Sequence, residues 1–251
     1  MMLEVNGVAF NYRSKNVLND ISFEVNCNEL VTIMGPNGVG KTTLLKCMNA
    51  IFKPGAGSIL IENEDILKLG RTEIAKRLGY VAQRSDSNRM TAFDAILLGR
   101  KPHVRFNISE HDLRIVNAAI RKLGLESLAL RYINEMSGGE LQKICIARAL
   151  VQEPRLLLLD EPTSSLDLKN QIEILKIIRE VVEEHQVSAV MTMHNLNMAL
   201  RYSDKFIFLK DGLIFAAGDR DDITPEIIEA VYGVTVGIEH YQGYPVVVPI
   251  N

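Results

Sequence analysis

The segment Gly35-Pro36-Asn37-Gly38-Val39-Gly40-Lys41-Thr42-Thr43 spaces glycines, a lysine and hydroxyls in the form G-x-x-x-x-G-K-T. Such a loop curls its backbone N–H groups around β- and γ-phosphates, with lysine as a point charge and Thr42 offering a hydroxyl to Mg²⁺. Lys41 is expected to bridge β- and γ-phosphate oxygens, and Thr43 to lie near the α-phosphate. A second turn, Ser137-Gly138-Gly139-Glu140, has the S-x-x-E form of a capping box. Ser137 then opens a helix whose free N–H groups and positive dipole end suit another anion. The apolar run Leu156-Leu157-Leu158-Leu159 ends in Asp160 and Glu161. A buried sheet tolerates two carboxylates only at the exposed C-terminal edge of its strands, where open α/β sheets place ligands. Asp160 is expected to hold Mg²⁺ through water, and Glu161 to polarise an attacking water as general base. Together the turns and carboxylates spell out two halves of an ATP site.

These groups need rigid supports. Leu30 to Met34 reads as a short apolar strand feeding the glycine loop, and from Lys41 onward Leu44, Leu45 and Met48 share one helical face. That strand–loop–helix order is the context a phosphate loop requires. Leu78 to Ala82, Leu156 to Leu159 and Val187 to Met193 are further buried-strand runs beside helical patterns, which predicts a mostly parallel sheet covered by helices. Alternation at Leu3, Val5, Val8 and Phe10, and again from Val17 to Val25, predicts paired amphipathic strands ahead of the core. From about Ser85 to Gln152 strand signals stop, and Thr91 and Ser109 each precede helical spacing. Residues 85–152 are therefore expected to form a helical subdomain inserted in the core.

After His194 come a helix from Leu196 to Arg201, a hairpin turned by Asp211-Gly212, and a last helix from Thr224-Pro225 to Gly233. Alternating residues run from there to the end. Without an internal repeat or a low-complexity linker, residues 1–251 are expected to form one α/β unit. The net charge of −3 argues against a general polyanion binder, so nucleic acid is not expected as a partner. Three cysteines without C-x-x-C spacing indicate neither a disulfide framework nor a zinc site, and Cys27, Cys47 and Cys145 are expected as small buried hydrophobes in a reducing cytosol. The start enters strand pattern without the basic stretch and apolar core of a signal peptide, so none is expected, and no run approaches the ~20 apolar residues that span a bilayer.

The joint order of these motifs resembles the nucleotide-binding subunit of ATP-binding cassette (ABC) transporters along essentially the whole chain. The phosphate loop, Met136-Ser137-Gly138-Gly139-Glu140, Asp160-Glu161, Ser165-Leu166-Asp167 and His194 stand in the family's sequence. The resemblance implies a P-loop NTPase core with an N-terminal antiparallel β-subdomain, and two copies packed head to tail around two ATP molecules. Each ATP then lies between one copy's phosphate loop and the other's Ser137, Gly138 and Gly139. It also implies that Gln83 touches Mg²⁺ or the attacking water and that Tyr12 stacks on adenine. A strand cap for Gln83 and half-buried sheet packing for Tyr12 are the alternatives. His194 resembles the switch histidine on the γ-phosphate, and Asp167 the aspartate that crosses between copies. Helix N-capping is a second role open to Asp167. Glu140 stands where glutamine is usual, so it weakens nucleotide binding unless it stays folded back as a cap.

Gly99-Arg100-Lys101-Pro102-His103, and the tail segments Ala230 to Val234 and Tyr244 to Pro249, look similar to importers of iron–siderophore complexes, haem and cobalamin. A solvated basic turn is the plainer reading of the first. An importer subunit implies two transmembrane permease partners, an indirect extracytoplasmic binding protein, and a place on the cytoplasmic face of the membrane. A non-transport cassette ATPase in repair, translation or iron–sulfur assembly, and an exporter ATPase, are the rivals. The chain lacks the coiled-coil insertion, tandem cassette or basic surplus that would favour the non-transport class.

Overall fold

The computed structural model describes residues 1–13, 15–83 and 89–250. β1 (Leu3–Tyr12) and β2 (Lys15–Val25) pair antiparallel, with Leu3 opposite Val25 and Phe10 opposite Leu18. Every residue of β3 (Leu30–Met34) is buried, and the glycine loop that follows turns into α1 (Lys41–Met48). β4 (Ala56–Ile61) returns to pair with β1, and β5 (Glu64–Asp65) pairs with β4. α2 (Arg71–Arg77) runs straight into β6 (Leu78–Val81). The sequence patterns did not announce β4, β5 or α2, because the two strands are short or interrupted by Gly57 and the helix buries none of its residues.

Among the described residues three α-helices follow: α3 (Ala92–Leu97), capped by the Thr91 hydroxyl, α4 (Glu110–Lys122), and α5 (Gly138–Leu150). Ser109 with Asp112 and Ser137 with Glu140 form capping boxes at the heads of α4 and α5. The chain then runs through β7 (Leu156–Leu159), α6 (Leu168–Glu184), β8 (Ser188–Thr192), α7 (Leu196–Tyr202), β9 (Lys205–Lys210) and β10 (Leu213–Asp219). α8 (Pro225–Tyr232) and a hairpin of β11 (Val236–Tyr241) and β12 (Tyr244–Pro249) end it. The expected helical span 85–152 begins at residues 85–88, which lie outside the described residues. No described residue from 89 to 152 lies in a named strand.

The central sheet has the order β10-β9-β3-β8-β7-β6, parallel except for the β9–β10 hairpin. Its strands β3, β7 and β8 are buried on both faces because both are covered, whereas the edge strand β10 buries no residue. Leu156 and Leu158 point into one core with α1 and the antiparallel sheet; Leu157 and Leu159 point into the other with α5, α6 and α8. Ala92, Ile96, Val116, Ile120 and Ile144 form a third cluster among α3, α4 and α5.

Arg100 departs from the reading of a solvated basic turn, which exposed Lys101 keeps. Its side chain is 3% exposed: Nε donates to Asp112 Oδ1 at 2.8 Å, and Nη1 to Val151 O at 2.6 Å and Glu153 Oε2 at 2.7 Å. One guanidinium thus ties the end of α3 to α4 and to the exit of α5. Hydrogen bonds from the Ser109 hydroxyl and amide, then from Arg100, hold the Asp112 carboxyl well below the usual aspartate range. Cys47 and Cys145 are buried as expected, whereas Cys27 is exposed. Among the described residues no helix is long and apolar enough to cross a membrane.

Candidate active site

Parallel pairing brings four strand ends to one edge. Ile33 pairs with Thr192, Leu159 with Met191, and Val81 with Leu159. The residues just past those strands are Gly35, His194, Asp160 with Glu161, and Gln83, so sequence positions far apart meet at the C-terminal edge of the sheet.

The phosphate loop is strained where glycine is needed. Gly35 has φ 140° and Gly40 φ 117°. A Cβ on Gly35 would lie 2.4 Å from the Leu209 carbonyl oxygen, and one on Gly40 2.8 Å from Leu18 Cδ2. Lys41 Nζ donates to the carbonyls of Gly35 at 2.7 Å and Pro36 at 2.9 Å, folding the lysine back over its own loop. Burial pushes the Lys41 amine down, and the charges of Glu161 and Asp160 partly restore it.

Asp160 lies deeper than the sequence suggested. It is 2% exposed, not at an open edge. The hydroxyls of Thr42 at 3.0 Å and Thr192 at 2.9 Å both donate to Oδ1 and make that burial tolerable. Burial still raises its carboxyl, those two hydrogen bonds oppose the rise, and neighbouring Glu161 adds to it. A divalent cation would relieve this. Mg²⁺ takes one or two carboxylates with waters and substrate phosphates, so the hard-oxygen pair Thr42 and Asp160 fits it.

Glu161 is held from three sides in a left-handed backbone conformation, φ 49°. Its N–H donates to Thr192 Oγ1 at 2.8 Å, Gln83 Nε2 donates to Oε2 at 2.6 Å, and His194 Nε2 to Oε1 at 2.5 Å. Strain of this kind persists where surrounding structure over-determines it. Thr192 is the residue that sequence reading missed. One hydroxyl serves both carboxylate residues, and a polar residue closing an apolar strand was its only signal.

A cavity of about 240 Å³ opens over the loop, lined by Tyr12, Lys15, Asn37, Gly38, Gly40 to Thr43 and Glu161. Tyr12 is 44% exposed, its ring edge-on to Phe10 at 4.9 Å and Phe52 at 5.7 Å, its hydroxyl 3.5 Å from Thr43 Oγ1. It is packed on its own sheet and also presents surface to the cavity. Val39 packs instead against the core beneath the loop. A larger cavity of about 500 Å³ contains none of these residues, lying between α4 and the end of α6, so size does not mark the site.

Ser137, Gly138, Gly139 and Asp167 do not line the phosphate cavity. Ser137 is committed to its helix. Its amide and hydroxyl both donate to Glu140 Oε2 at 2.8 Å, and these bonds hold the Glu140 carboxyl below its usual value. Glu140 is thus folded back as a cap. Gly138 has only Leu166 Cδ2 near the space a Cβ would take, at 3.6 Å, whereas a Cβ on Gly139 would meet Asn170 at 2.8 Å. Asp167 caps α6, its Oδ1 accepting from Asn170 N–H at 2.8 Å.

The family described as ABC transporter matches residues 18–164, which include the phosphate loop, the Ser137 turn and both carboxylates. The chain belongs to the ABC transporter family. This ABC ATPase is 58% identical to an uncharacterized ABC transporter ATP-binding protein of Methanocaldococcus jannaschii, over 251 residues covering 100% of this chain and 99% of the relative. A petrobactin import ATP-binding protein of Bacillus subtilis is 33% identical over 240 residues, 95% of each chain. Among solved structures, an inward-facing metal-chelate type ABC transporter matches with a TM-score of 0.87 at 28% identity, covering 100% of this chain and 97% of that one. A cassette solved as a dimer matches with a TM-score of 0.79 at 28% identity, covering 87% and 99%. The chain is therefore an ATP-binding ATPase subunit with relatives of import type, and the expected P-loop architecture with its two subsidiary parts is the one observed.

Proposed function

We propose that this ATPase powers import of an iron complex, haem or cobalamin through separate membrane subunits, acting as a head-to-tail dimer at the cytoplasmic face of the membrane. The observation that carries the dimer is the division of the anion-binding turns. Lys41, Thr42, Asp160, Glu161, Gln83 and His194 form one connected cluster, while the Ser137–Gly139 turn stands outside the phosphate cavity. A second copy supplies that turn, whose helix N-terminus complements the triphosphate. The dimeric cassette and the petrobactin and metal-chelate systems support the reading. The whole chain then works as one unit, with residues 85–152 as the helical subdomain that presents a groove to a coupling helix of a permease subunit, two of which complete the assembly. A binding protein acts on the far side of the membrane without touching this chain.

In the working site Lys41 leaves the Gly35 and Pro36 carbonyls for the β- and γ-phosphates, and Tyr12 stacks on the adenine. Thr42, Asp160 and Gln83 would hold Mg²⁺, which would neutralise charge gathering on the phosphoryl oxygens. Glu161 accepts the proton of the attacking water; each carboxylate oxygen keeps a lone pair beyond the one given to Gln83 or His194. His194 and Gln83 orient that carboxylate, and His194 reaches toward the γ-phosphate. Asp167 lies at the dimer boundary as well as capping its helix. Closure follows because the γ-phosphate is bound better between two copies than by one, and hydrolysis removes the difference.

Dilution tests the central claim. Turnover per protomer is expected to fall as protein concentration falls, the total rate approaching second-order dependence on protein, and full-rate hydrolysis by isolated protomers overturns it. Copurification with the membrane partners, followed by a screen for the compound that accelerates turnover in vesicles, identifies the cargo.

A further inference from the structure

The C-terminal segment reaches the phosphate loop directly. Gly35 N–H donates to the Tyr232 hydroxyl at 3.0 Å. Gly35 opens the loop, and its carbonyl is the one that accepts from Lys41 Nζ at 2.7 Å. β9 presses on the same residue through the Leu209 carbonyl. The Gly35 amide is therefore committed to Tyr232 and is not among the N–H groups left for phosphate.

Tyr232 is the last residue of α8, which Gly233 closes at φ 70° with its N–H on Glu229 O. Burial pushes its phenol up to about 12, which keeps it neutral. The hairpin braces this helix, with β11 packed on α8. The Tyr244 ring has the guanidinium groups of Arg201 and Arg220 each 5.1 Å from its centroid. Asn197 accepts from Val247 N–H at 2.8 Å and donates to Val247 O at 3.3 Å, as a neighbouring strand would. Asn197 lies in the first turn of α7, directly after His194 and the cap Asn195. One terminal unit thus holds both the start of the phosphate loop and the helix behind His194.

We infer that Tyr232 is a positioning residue for the phosphate loop, fixing the Gly35 peptide so that nucleotide affinity depends on the C-terminal helix and hairpin. This rests on the proposed reading of that loop as the triphosphate site. Phenylalanine at position 232 keeps the ring and its packing and removes only the acceptor. A buried N–H that loses its partner is costly, and the loop gains freedom to relax away from its bound shape.

The test compares Tyr232→Phe and Lys41→Ala with the unaltered protein by ATP titration, thermal unfolding and amide hydrogen exchange at Gly35. Tyr232→Phe is expected to raise the Kd for ATP ~3- to 10-fold, the range of one net hydrogen bond, and to speed exchange at Gly35. Lys41→Ala is expected to weaken binding far more. An unchanged Kd in Tyr232→Phe, with or without a lower Tm, marks a merely structural tyrosine and overturns the inference. So does a raised Kd without faster exchange at Gly35. Unchanged binding in Lys41→Ala overturns the loop reading itself, and the inference with it.

Discussion

Replacing Glu161 by glutamine isolates one charge. The left-handed backbone at position 161, φ 49°, suits glutamine no worse than glutamate, so whatever strain it stores is inherited. Glutamine's carbonyl oxygen still accepts from His194 Nε2. Its amide group meets the Gln83 amide donor to donor, which Gln83 relieves by turning its own amide over and offering oxygen. With both contacts remade, folding stability is expected to change by less than ~1 kcal/mol. ATP affinity is not expected to fall, because a negative charge on the cavity wall is removed. What disappears is proton acceptance, for which general-base catalysis supplies ~10²- to 10⁴-fold, equal to ~3–5 kcal/mol of barrier. Single-turnover phosphate release beside an equilibrium ATP titration separates the two effects. Turnover within about threefold of the unaltered enzyme, far short of the ~10² expected, would refute the assignment of Glu161 as base.

Gly35→Ala drives a Cβ to 2.4 Å from the Leu209 carbonyl oxygen at a backbone angle reserved for glycine. It should cost ~2–5 kcal/mol of stability and most ATP binding, and a variant that melts and binds normally would contradict this loop geometry. Arg100→Ala leaves Asp112 buried without its cation, and a loss of ~3–5 kcal/mol in urea unfolding is expected; a loss under ~1 kcal/mol would show the pair to be ornamental. Because the folded Asp112 carboxyl is depressed, its stabilisation is complete above the ordinary aspartate value of ~3.9 and is lost as pH falls below it toward the folded value. Asp112→Asn should therefore flatten the acid limb of the stability profile, and an unchanged limb would exclude Asp112 as its source.

Local chemistry was legible wherever the physics is local. Glycines at the loop, Ser137 and Glu140 at a helix start, and the apolar run before Asp160 each encode their conformation within a few residues, and the structure shows each in that conformation. The capping alternative for Asp167 was equally plain, since a cap needs only its own helix. β4, β5 and α2 escaped because short or glycine-broken segments acquire their state from partners distant in sequence. Arg100 was misread for the same reason: nothing local separates a guanidinium in water from one closed over by Asp112, Val151 and Glu153.

The sequence by itself determined a glycine loop of phosphate-loop form, a capped serine–glycine turn and a pair of carboxylates at a strand end. Only the tertiary structure decided that Thr192 would bind both acidic residues, that Asp160 would be almost wholly buried, and that Tyr232 would hold the first glycine of the loop. The reason is reach. Backbone conformation follows from neighbours along the chain, whereas a buried hydrogen bond between residues 35 and 232 exists only once parallel strands and their covering helices have brought the two together.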